Sequence, residues 1–295
     1  MKMHEDEVHT DIPLVRRLLA AQFPEWVALP LERVSSSGTD NALYRLGDDM
    51  VVRLPRIHWA VGGVDKDARW LPELAPLLPV AIPVPLAKGA PAEGYAWEWG
   101  VYPWLEGENP TIGRIDDLDS LTRDVVRFVE ALHQIDLTGG PLARRGAPLT
   151  YQDEAARAAL AVLRGMIDTD AAKAAWEAAL ETPAWSGPPV WIHGDLLPGN
   201  LLFQGGRLTG VIDWSGLGVG DPACDMLVAW GLLPAEARKV FRAELDVDDA
   251  TWARGRSWAL SVGLIALPYY KDTNPGLAAT ARHLIREVLA DNQRS

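Results

Sequence analysis

The sequence predicts an α+β protein, with a small antiparallel sheet first and a larger, mainly helical region after it. Short apolar segments around residues 29–34, 42–46 and 50–54 are separated by polar or Gly-Asp-Asp turns, as in consecutive antiparallel strands. Beyond Gly107, apolar residues recur every three or four positions, which indicates amphipathic helices. Because strands and helices segregate along the chain, we expect two domains, an N-terminal one at 1–105 and a C-terminal one at 106–295.

Local signals justify the individual elements in chain order. Asp11 is placed to cap a first helix whose apolar face includes Leu14 and Leu18. After the three strands, residues 66–77 are expected to form a short helix that a proline-rich stretch ends, and residues 93–105 to contain two more strands. A long amphipathic helix starts near Leu118, and further helices are expected at residues 153–167, 171–180, 223–233, 235–245, 248–270 and 277–289.

Composition favours a soluble globular enzyme and argues against several classes of partner. The single cysteine, Cys224, excludes an internal disulfide, and no stretch is apolar enough for a membrane span. The start of the chain lacks the basic and apolar segments of a secretory signal, so we expect a cytoplasmic protein. The net charge of −12 without a basic run argues against a nucleic-acid partner. This acidity would suit a cationic substrate, although solubility explains it at least as well.

One segment carries a pattern of polar residues that suggests chemistry. His193-Gly194-Asp195 follows an apolar, strand-like run, and Asn200 lies five residues after the aspartate. A hairpin then places Asp213 at the end of a second apolar strand, so that three oxygen-bearing side chains converge where loops leave strands. The alternative is a polar turn in which Asp195 and Asn200 only cap local backbone.

These side chains match the requirements of phosphoryl transfer. Magnesium prefers hard oxygen ligands, usually one or two carboxylates, with substrate phosphates completing its shell. The transfer needs little besides that metal, a positioned base and a cation over the phosphates. We therefore expect Asp195 to orient and deprotonate an acceptor hydroxyl, and Asn200 and Asp213 to hold Mg²⁺ against the phosphates of ATP or GTP.

The same motifs carry a resemblance to a known family. The His-Gly-Asp-x-x-Pro-x-Asn pattern at 193–200, followed by Ile-Asp-Trp at 212–214 and Gly-Asp-Pro-x-x-Asp at 220–225, resembles the aminoglycoside phosphotransferase family, which is related to protein kinases. The resemblance covers about residues 30–290 and implies a bilobal, protein-kinase-like fold with a sheet-based N-lobe and a helical C-lobe. It also implies that His193 organises the catalytic loop and that Asp221 and Asp225 brace it.

The resemblance also places the nucleotide in the N-lobe. Ser36, Ser37 and Gly38 lie in a loop of small residues whose backbone N–H groups are suited to phosphate oxygens, although an ordinary turn is equally compatible with them. Tyr102 and Trp104 lie where kinases join their lobes and where adenine binds backbone groups.

The expected phosphate-binding cation departs from the family pattern. The third strand carries Arg53 where kinases place a lysine, and the following helix offers Asp67 and Glu73 as partners. Asp67 shares the apolar face of this helix, whereas Glu73 is turned away from it by about 240°. We expect Arg53 and Asp67 to replace the usual Lys–Glu pair, since arginine can bind phosphate through two N–H groups. The alternative is an exposed strand arginine with a solvated aspartate.

The acceptor is predicted only as a small molecule with a hydroxyl group. The resemblance favours an aminoglycoside-type antibiotic, with a macrolide or a metabolic sugar, amino alcohol or homoserine-like compound as alternatives. A nucleotide-binding pseudokinase is a further alternative, which the intact set of Asp195, Asn200 and Asp213 disfavours. The side chains considered for acceptor binding, for which ordinary surface or core roles are the favoured interpretation, are Asp153, Glu154, Trp258, Tyr269, Tyr270 and Asp272.

Overall fold

The computed structural model describes residues 6–35, 38–111, 117–136 and 138–292. These residues divide into two units by their contacts. Unit 1 holds the described residues up to Glu106, together with Gly210–Ile212. Unit 2 holds the other described residues, from Gly107 to Thr209 and from Asp213 onward.

Unit 1 is built on a five-stranded antiparallel sheet in the order β1-β2-β3-β5-β4. Alternate residues of the second strand are buried, as expected for a strand with one face on a core. They pack against a first helix, α1 (Ile12–Gln22), whose N-cap Asp11 accepts the Leu14 N–H at 2.8 Å. The strands are β1 (Leu31–Arg33), β2 (Asn41–Leu46), β3 (Met50–Pro55), β4 (Ala87–Gly89) and β5 (Trp99–Pro103).

Unit 1 differs from the sequence prediction in two details. Residues 93–105 hold one strand, β5, and the strand that pairs with its outer edge is β4, which lies before that region. Gly89 of β4 packs so closely on Trp99 that a Cβ atom would lie 2.0 Å from the indole ring. A three-residue strand containing glycine gives little propensity signal, which explains the omission. The second helix, α2 (Gly63–Leu74), begins and ends earlier than predicted and continues into a 3-10 turn at Ala75–Leu77.

Unit 2 is mainly helical and is organised around α8. This helix is buried over most of its surface and packs against α4, α5 and α9. The predicted helix at 153–167 ends earlier because the chain turns at Gly165, whose φ is +77°. None of the helices in the described ranges is both long and apolar enough to cross a membrane. The helices are α3 (Leu118–His133), α4 (Asp153–Val162), α5 (Thr169–Leu180), α6 (Val228–Leu232), α7 (Ala235–Glu244), α8 (Asp249–Tyr270) and α9 (Pro275–Asn292).

Two small strand pairs carry the candidate catalytic residues. β6 (Val190–Ile192) pairs antiparallel with β9 (Gly218–Gly220), and β7 (Leu201–Gln204) pairs with β8 (Arg207–Val211). β6 leads directly into His193, β7 begins after Asn200, and β8 ends just before Asp213. The chain therefore has an antiparallel N-terminal sheet and a helical C-terminal region, which confirms the predicted α+β class.

Candidate active site

Two glycines hold the turn at His193–Asp195 against the chain that follows Asp213. Gly194 has a φ of +78°, and a Cβ atom on it would lie 2.8 Å from the carbonyl oxygen of Gly216. A Cβ atom on Gly216 would lie 2.6 Å from the carbonyl oxygen of His193. Because the two backbones approach this closely, the loop that bears Asp195 lies directly against the turn that begins at Asp213.

The Asp195 carboxylate is held through both of its oxygens. Arg145 donates through Nη1 to Oδ1 of Asp195 and, at 3.1 Å, to the carbonyl oxygen of Gly194. Asn200 donates through Nδ2 to the carbonyl oxygen of Asp195 at 2.8 Å and to its Oδ2 at 3.2 Å. These contacts fix the orientation of the carboxylate, while 20% of the Asp195 side chain stays exposed.

His193 is buried beside this carboxylate. Its ring packs edge-on against Trp214, with 4.8 Å between the ring centroids. Its Nδ1 accepts the backbone N–H of Asp195 at 3.2 Å, so in a neutral imidazole the proton lies on Nε2. A ring in this position can orient Asp195 through its backbone, and we propose that role for it.

Arg145 is a candidate site residue that sequence reasoning missed. Its segment lies along β9: the Ala143 N–H donates to the carbonyl oxygen of Val219 at 3.0 Å, and the Asp221 N–H donates to that of Gly146 at 3.0 Å. The pKa of the Arg145 guanidinium is raised, chiefly by the negative charge of Asp195. In the sequence, Arg145 stands out only as one of two adjacent arginines, Arg144 and Arg145, in a chain with net negative charge. That pattern does not show which residue either arginine contacts.

Asp225 binds the backbone of the catalytic turn. Its Oδ2 accepts the His193 N–H at 3.0 Å, and its Oδ1 accepts the Gly194 N–H at 2.8 Å. The carboxylate is fully buried, and Nε2 of His133 lies 3.2 Å from Oδ2. Asp225 thus makes the kind of contact expected from the sequence, and His133 joins the same network.

Asp221 stabilises a different part of unit 2 from the one expected. Its Oδ2 lies 2.6 Å from Nε of the buried Arg254, and its Oδ1 accepts the Ala223 N–H at 2.9 Å. Its own N–H binds the segment that carries Arg145. Asp221 therefore connects its turn to α8 and to that segment.

Asn200 and Asp213 offer oxygen ligands that fit Mg²⁺. Since the amide NH₂ of Asn200 is directed to Asp195, the opposite amide oxygen is the atom that can bind a metal. Asp213 has φ +58° and ψ +70°, a conformation that costs a non-glycine residue on the order of 1–3 kcal/mol and is common at functional sites. The described residues include no cluster of three or more His, Cys, Asp or Glu that would hold a metal alone. Mg²⁺ in proteins is commonly held by one or two carboxylates together with substrate phosphates.

In unit 1, the structure brings Arg53 and Asp67 together. Nη1 of Arg53 lies 3.1 Å from Oδ2 of Asp67, whose side chain is 2% exposed. The Tyr102 hydroxyl donates to the same oxygen at 3.0 Å, and burial, followed by the charge of Asp67, raises the pKa of that hydroxyl. Glu73 instead lies on the surface, 3.5 Å from Arg69. The helix thus presents to Arg53 the carboxylate that its periodicity indicated.

The remaining predicted nucleotide-binding residues are placed as follows. Ser36 and Ser37 lie outside the described residues. Gly38 is exposed, and its carbonyl oxygen accepts a hydrogen bond from Arg56 at 3.0 Å. The Trp104 backbone N–H donates to the carbonyl oxygen of Asp49 at 2.7 Å, and its ring lies under the guanidinium of Arg45, 4.0 Å from the centroid. In a backbone hydrogen bond between Trp104 and a base, the Trp104 carbonyl oxygen would therefore be the acceptor.

A five-stranded antiparallel sheet followed by a helical region, with aspartate and asparagine on adjacent loops, is the arrangement of the protein-kinase-like fold. A family profile described as the phosphotransferase enzyme family, APH, matches residues 32–258. The chain belongs to this family, which confirms the resemblance noted in the sequence and identifies the protein as an enzyme.

Solved structures show the same fold. The GDP and kanamycin complex of an APH(2″) phosphotransferase is 18% identical, with a TM-score of 0.74, and the match covers 94% of this chain and 99% of that one. A macrolide 2′-phosphotransferase of type I is 23% identical, with a TM-score of 0.65, over 95% of this chain and 98% of that one. The uncharacterised protein YcbJ of Bacillus subtilis (strain 168) is 29% identical over 154 residues, 51% of this chain and 48% of YcbJ, so the match spans about half of that relative.

Proposed function

We propose that the protein transfers the γ-phosphoryl group of a nucleoside triphosphate to a hydroxyl group of a small molecule. The observation that carries the proposal is the Asp195 carboxylate, which is oriented by Arg145 and Asn200 and stays partly exposed. Its loop lies against the turn that begins at Asp213. These are the parts that phosphoryl transfer requires of a protein: a positioned base and oxygen ligands for a metal.

In the proposed reaction, Asp195 accepts the hydrogen bond of the acceptor hydroxyl and takes its proton as the oxygen attacks the γ-phosphorus. The bond between that oxygen and phosphorus forms while the bond to the nucleoside diphosphate breaks, without a phosphoenzyme. Asn200 would have two tasks, since its NH₂ orients Asp195 and its amide oxygen would hold the metal. Mg²⁺ held by Asn200 and Asp213 would neutralise phosphate charge. Arg53, oriented by Asp67, is the proposed phosphate-binding cation.

The nucleotide is proposed to be ATP or GTP. The solved relative that holds GDP supports a nucleoside diphosphate as product, and a kinase-like fold accommodates either base. Because nucleoside triphosphates are plentiful in the cytoplasm, we propose that compartment for the reaction.

The acceptor proposed from the family is an aminoglycoside-type antibiotic, in line with the kanamycin bound to one solved relative. Two of the three acidic side chains considered for such a polycation are, however, bound within this chain. Oδ1 of Asp153 accepts from Arg157 at 2.8 Å and from the Trp176 indole at 2.9 Å, and Asp272 pairs with Lys271. These contacts favour the second candidate, a metabolic small-molecule acceptor.

Transfer of label from γ-labelled ATP and GTP to aminoglycosides, macrolides and small hydroxyl metabolites, with and without Mg²⁺, tests the proposed function. Metal-dependent, acceptor-dependent transfer is expected. Binding of the nucleotide without transfer to any acceptor would favour the pseudokinase alternative. Absence of nucleotide binding would contradict the proposal altogether.

Replacing Arg53 by alanine is expected to raise the nucleotide KM by about 10- to 100-fold, because a charge-assisted bond to phosphate contributes about 1.5–3 kcal/mol. Arg53→Lys should recover part of the loss, since it keeps the charge but not the two-pronged geometry. Arg69→Ala, which removes an exposed cation of the same unit, is the matched control. The measurement is steady-state kinetics with the nucleotide varied. Unchanged KM and kcat in Arg53→Ala would show that Arg53 does not contact the nucleotide.

A further inference from the structure

Arg145 is fixed in place by the backbone on either side of it. The Val219 N–H donates to the carbonyl oxygen of Pro141 at 2.7 Å, and the Gly146 carbonyl accepts the Asp221 N–H at 3.0 Å. Gly146 has a φ of +95°, and a Cβ atom on it would lie 2.6 Å from Ile192 Cδ1. The segment therefore lies firmly along the β6–β9 pair, and the position of the Arg145 side chain is set by the fold of unit 2.

The Arg145 guanidinium has hydrogen-bonding capacity beyond its contact with Asp195. Both of its bonds, to Asp195 Oδ1 and to the Gly194 carbonyl, use Nη1. Within the part of the chain that the structure describes, Nε and Nη2 make no bond to protein, and 37% of the side chain is exposed. An arginine carries five N–H donors in a planar fork, so a donor edge stays open to solvent beside the candidate base.

The carboxylates around this guanidinium are already bound or, in the case of Asp213, proposed to hold Mg²⁺. Asp225 accepts two backbone N–H groups and contacts His133, and Asp221 is paired with Arg254. Asp195 is held by Arg145 and Asn200, as described above. The charged group that is directed to solvent beside the candidate base is therefore the positive guanidinium of Arg145. Such a site repels an ammonium group and binds a carboxylate or phosphate through a charge-assisted, two-pronged contact.

We propose that Arg145 selects an acceptor that carries an anionic group close to the hydroxyl that becomes phosphorylated. The inference rests on the proposed function, because it takes Asp195 as the group that binds this hydroxyl. Because the hydroxyl would bond to Asp195 and the anionic group to Arg145, which itself contacts Asp195, the two groups must lie close together on one small molecule. Small hydroxy acids, sugar acids and hydroxyl compounds that already bear a phosphate meet this requirement, whereas polycationic antibiotics do not.

The test uses sets of small molecules that differ only in charge. One set is glucuronate, glucose and glucosamine, a second is glycerate, glycerol and 3-amino-1,2-propanediol, and kanamycin represents a polycation. Binding is measured calorimetrically on the full chain with Mg²⁺ and a non-hydrolysable nucleoside triphosphate, and transfer is measured with γ-labelled nucleotide. The proteins are the wild type, Arg145→Gln, and Arg144→Gln as a matched control that removes an exposed neighbouring charge.

The wild type and Arg144→Gln are expected to prefer the anionic member of at least one set by about tenfold or more over its neutral and cationic partners. Arg145→Gln should lose that preference, measured as the ratio of Kd values within a set, although the loss of its contact with Asp195 also lowers kcat for every member. A merely structural role for Arg145 would weaken all members alike and leave their ratio unchanged, which would contradict the proposal.

Three further outcomes would overturn the acceptor inference or its basis. If no anionic member binds the wild type better than its partners, the inference is wrong. If kanamycin or another amine has the highest kcat/KM, the phosphotransferase function stands and the anionic acceptor is wrong. If the wild type does not bind the Mg²⁺-nucleotide, the proposed function fails first, and the inference fails with it.

Discussion

An Asp195→Asn variant is expected to lose about 10²- to 10⁴-fold in kcat, the range typical of a general base, while it keeps its affinity for the nucleotide. Asparagine still offers an oxygen to Arg145, but it cannot take a proton from the acceptor hydroxyl. The fold should tolerate the change, because 20% of the Asp195 side chain and 37% of its partner Arg145 are exposed. The measurement is kcat with a saturating acceptor, together with the Kd of the Mg²⁺-nucleotide.

The matched control for this variant is Asp170→Asn, which makes the same substitution at an exposed position in the first turn of α5. Its kcat should stay within about twofold of the wild type, since surface substitutions away from special features have small effects. An Asp195→Asn enzyme with unchanged kcat would show that Asp195 only caps local backbone. In that case the polar-turn interpretation of the motif would be correct.

Hydrophobic periodicity was sufficient to predict much of the fold, because it reports which face of each element is buried. The alternating burial of β2 and the position of α1 after the cap Asp11 follow directly from local sequence. Strand β4 could not be predicted, since three residues are too few for a pattern and Gly89 is required by the close approach of Trp99. Its presence depends on pairing with β5, which is a tertiary effect.

The candidate site was predictable to the extent that its residues are close in sequence. Asp195, Asn200 and Asp213 belong to one short run with distinctive spacing, and the helical period was enough to choose Asp67 over Glu73 as the carboxylate that faces Arg53. The roles of these residues are still proposals.

Arg145 and His133 are far from the catalytic motif in sequence and were not predicted to contact it. Arg145 reaches Asp195 only because its segment runs along β9, and His133 reaches Asp225 from the last turn of α3. Backbone pairing of this kind leaves no periodic signal in side-chain types. Local motifs therefore predicted the groups proposed for the chemistry, whereas the group proposed to select the acceptor emerged only from the folded chain.

The second large effect is expected at Asp225. Asp225→Asn should lower the free energy of unfolding by about 2–4 kcal/mol. The amide oxygen of asparagine can accept the N–H of His193 or of Gly194, but its NH₂ group then faces the other N–H. One buried donor is therefore left unsatisfied. Since domains of this kind are stable by about 5–15 kcal/mol, the variant should remain folded. The measurement is urea-induced unfolding, with Asp272→Asn, which changes an exposed aspartate paired with its neighbour Lys271, as control.

The same Asp225 variant should also lose about 10²-fold in kcat, because the backbone that it releases positions Asp195, and a shift of about 1 Å in a catalytic group has an effect of that size. Kinetics are therefore measured at a temperature well below the unfolding transition, where the fraction of folded enzyme is constant. A variant with wild-type kcat and lowered stability would show that Asp225 stabilises unit 2 without setting the catalytic turn. A variant with wild-type stability would show instead that the two backbone N–H groups find other partners, and the proposed bracing of the turn by Asp225 would be wrong.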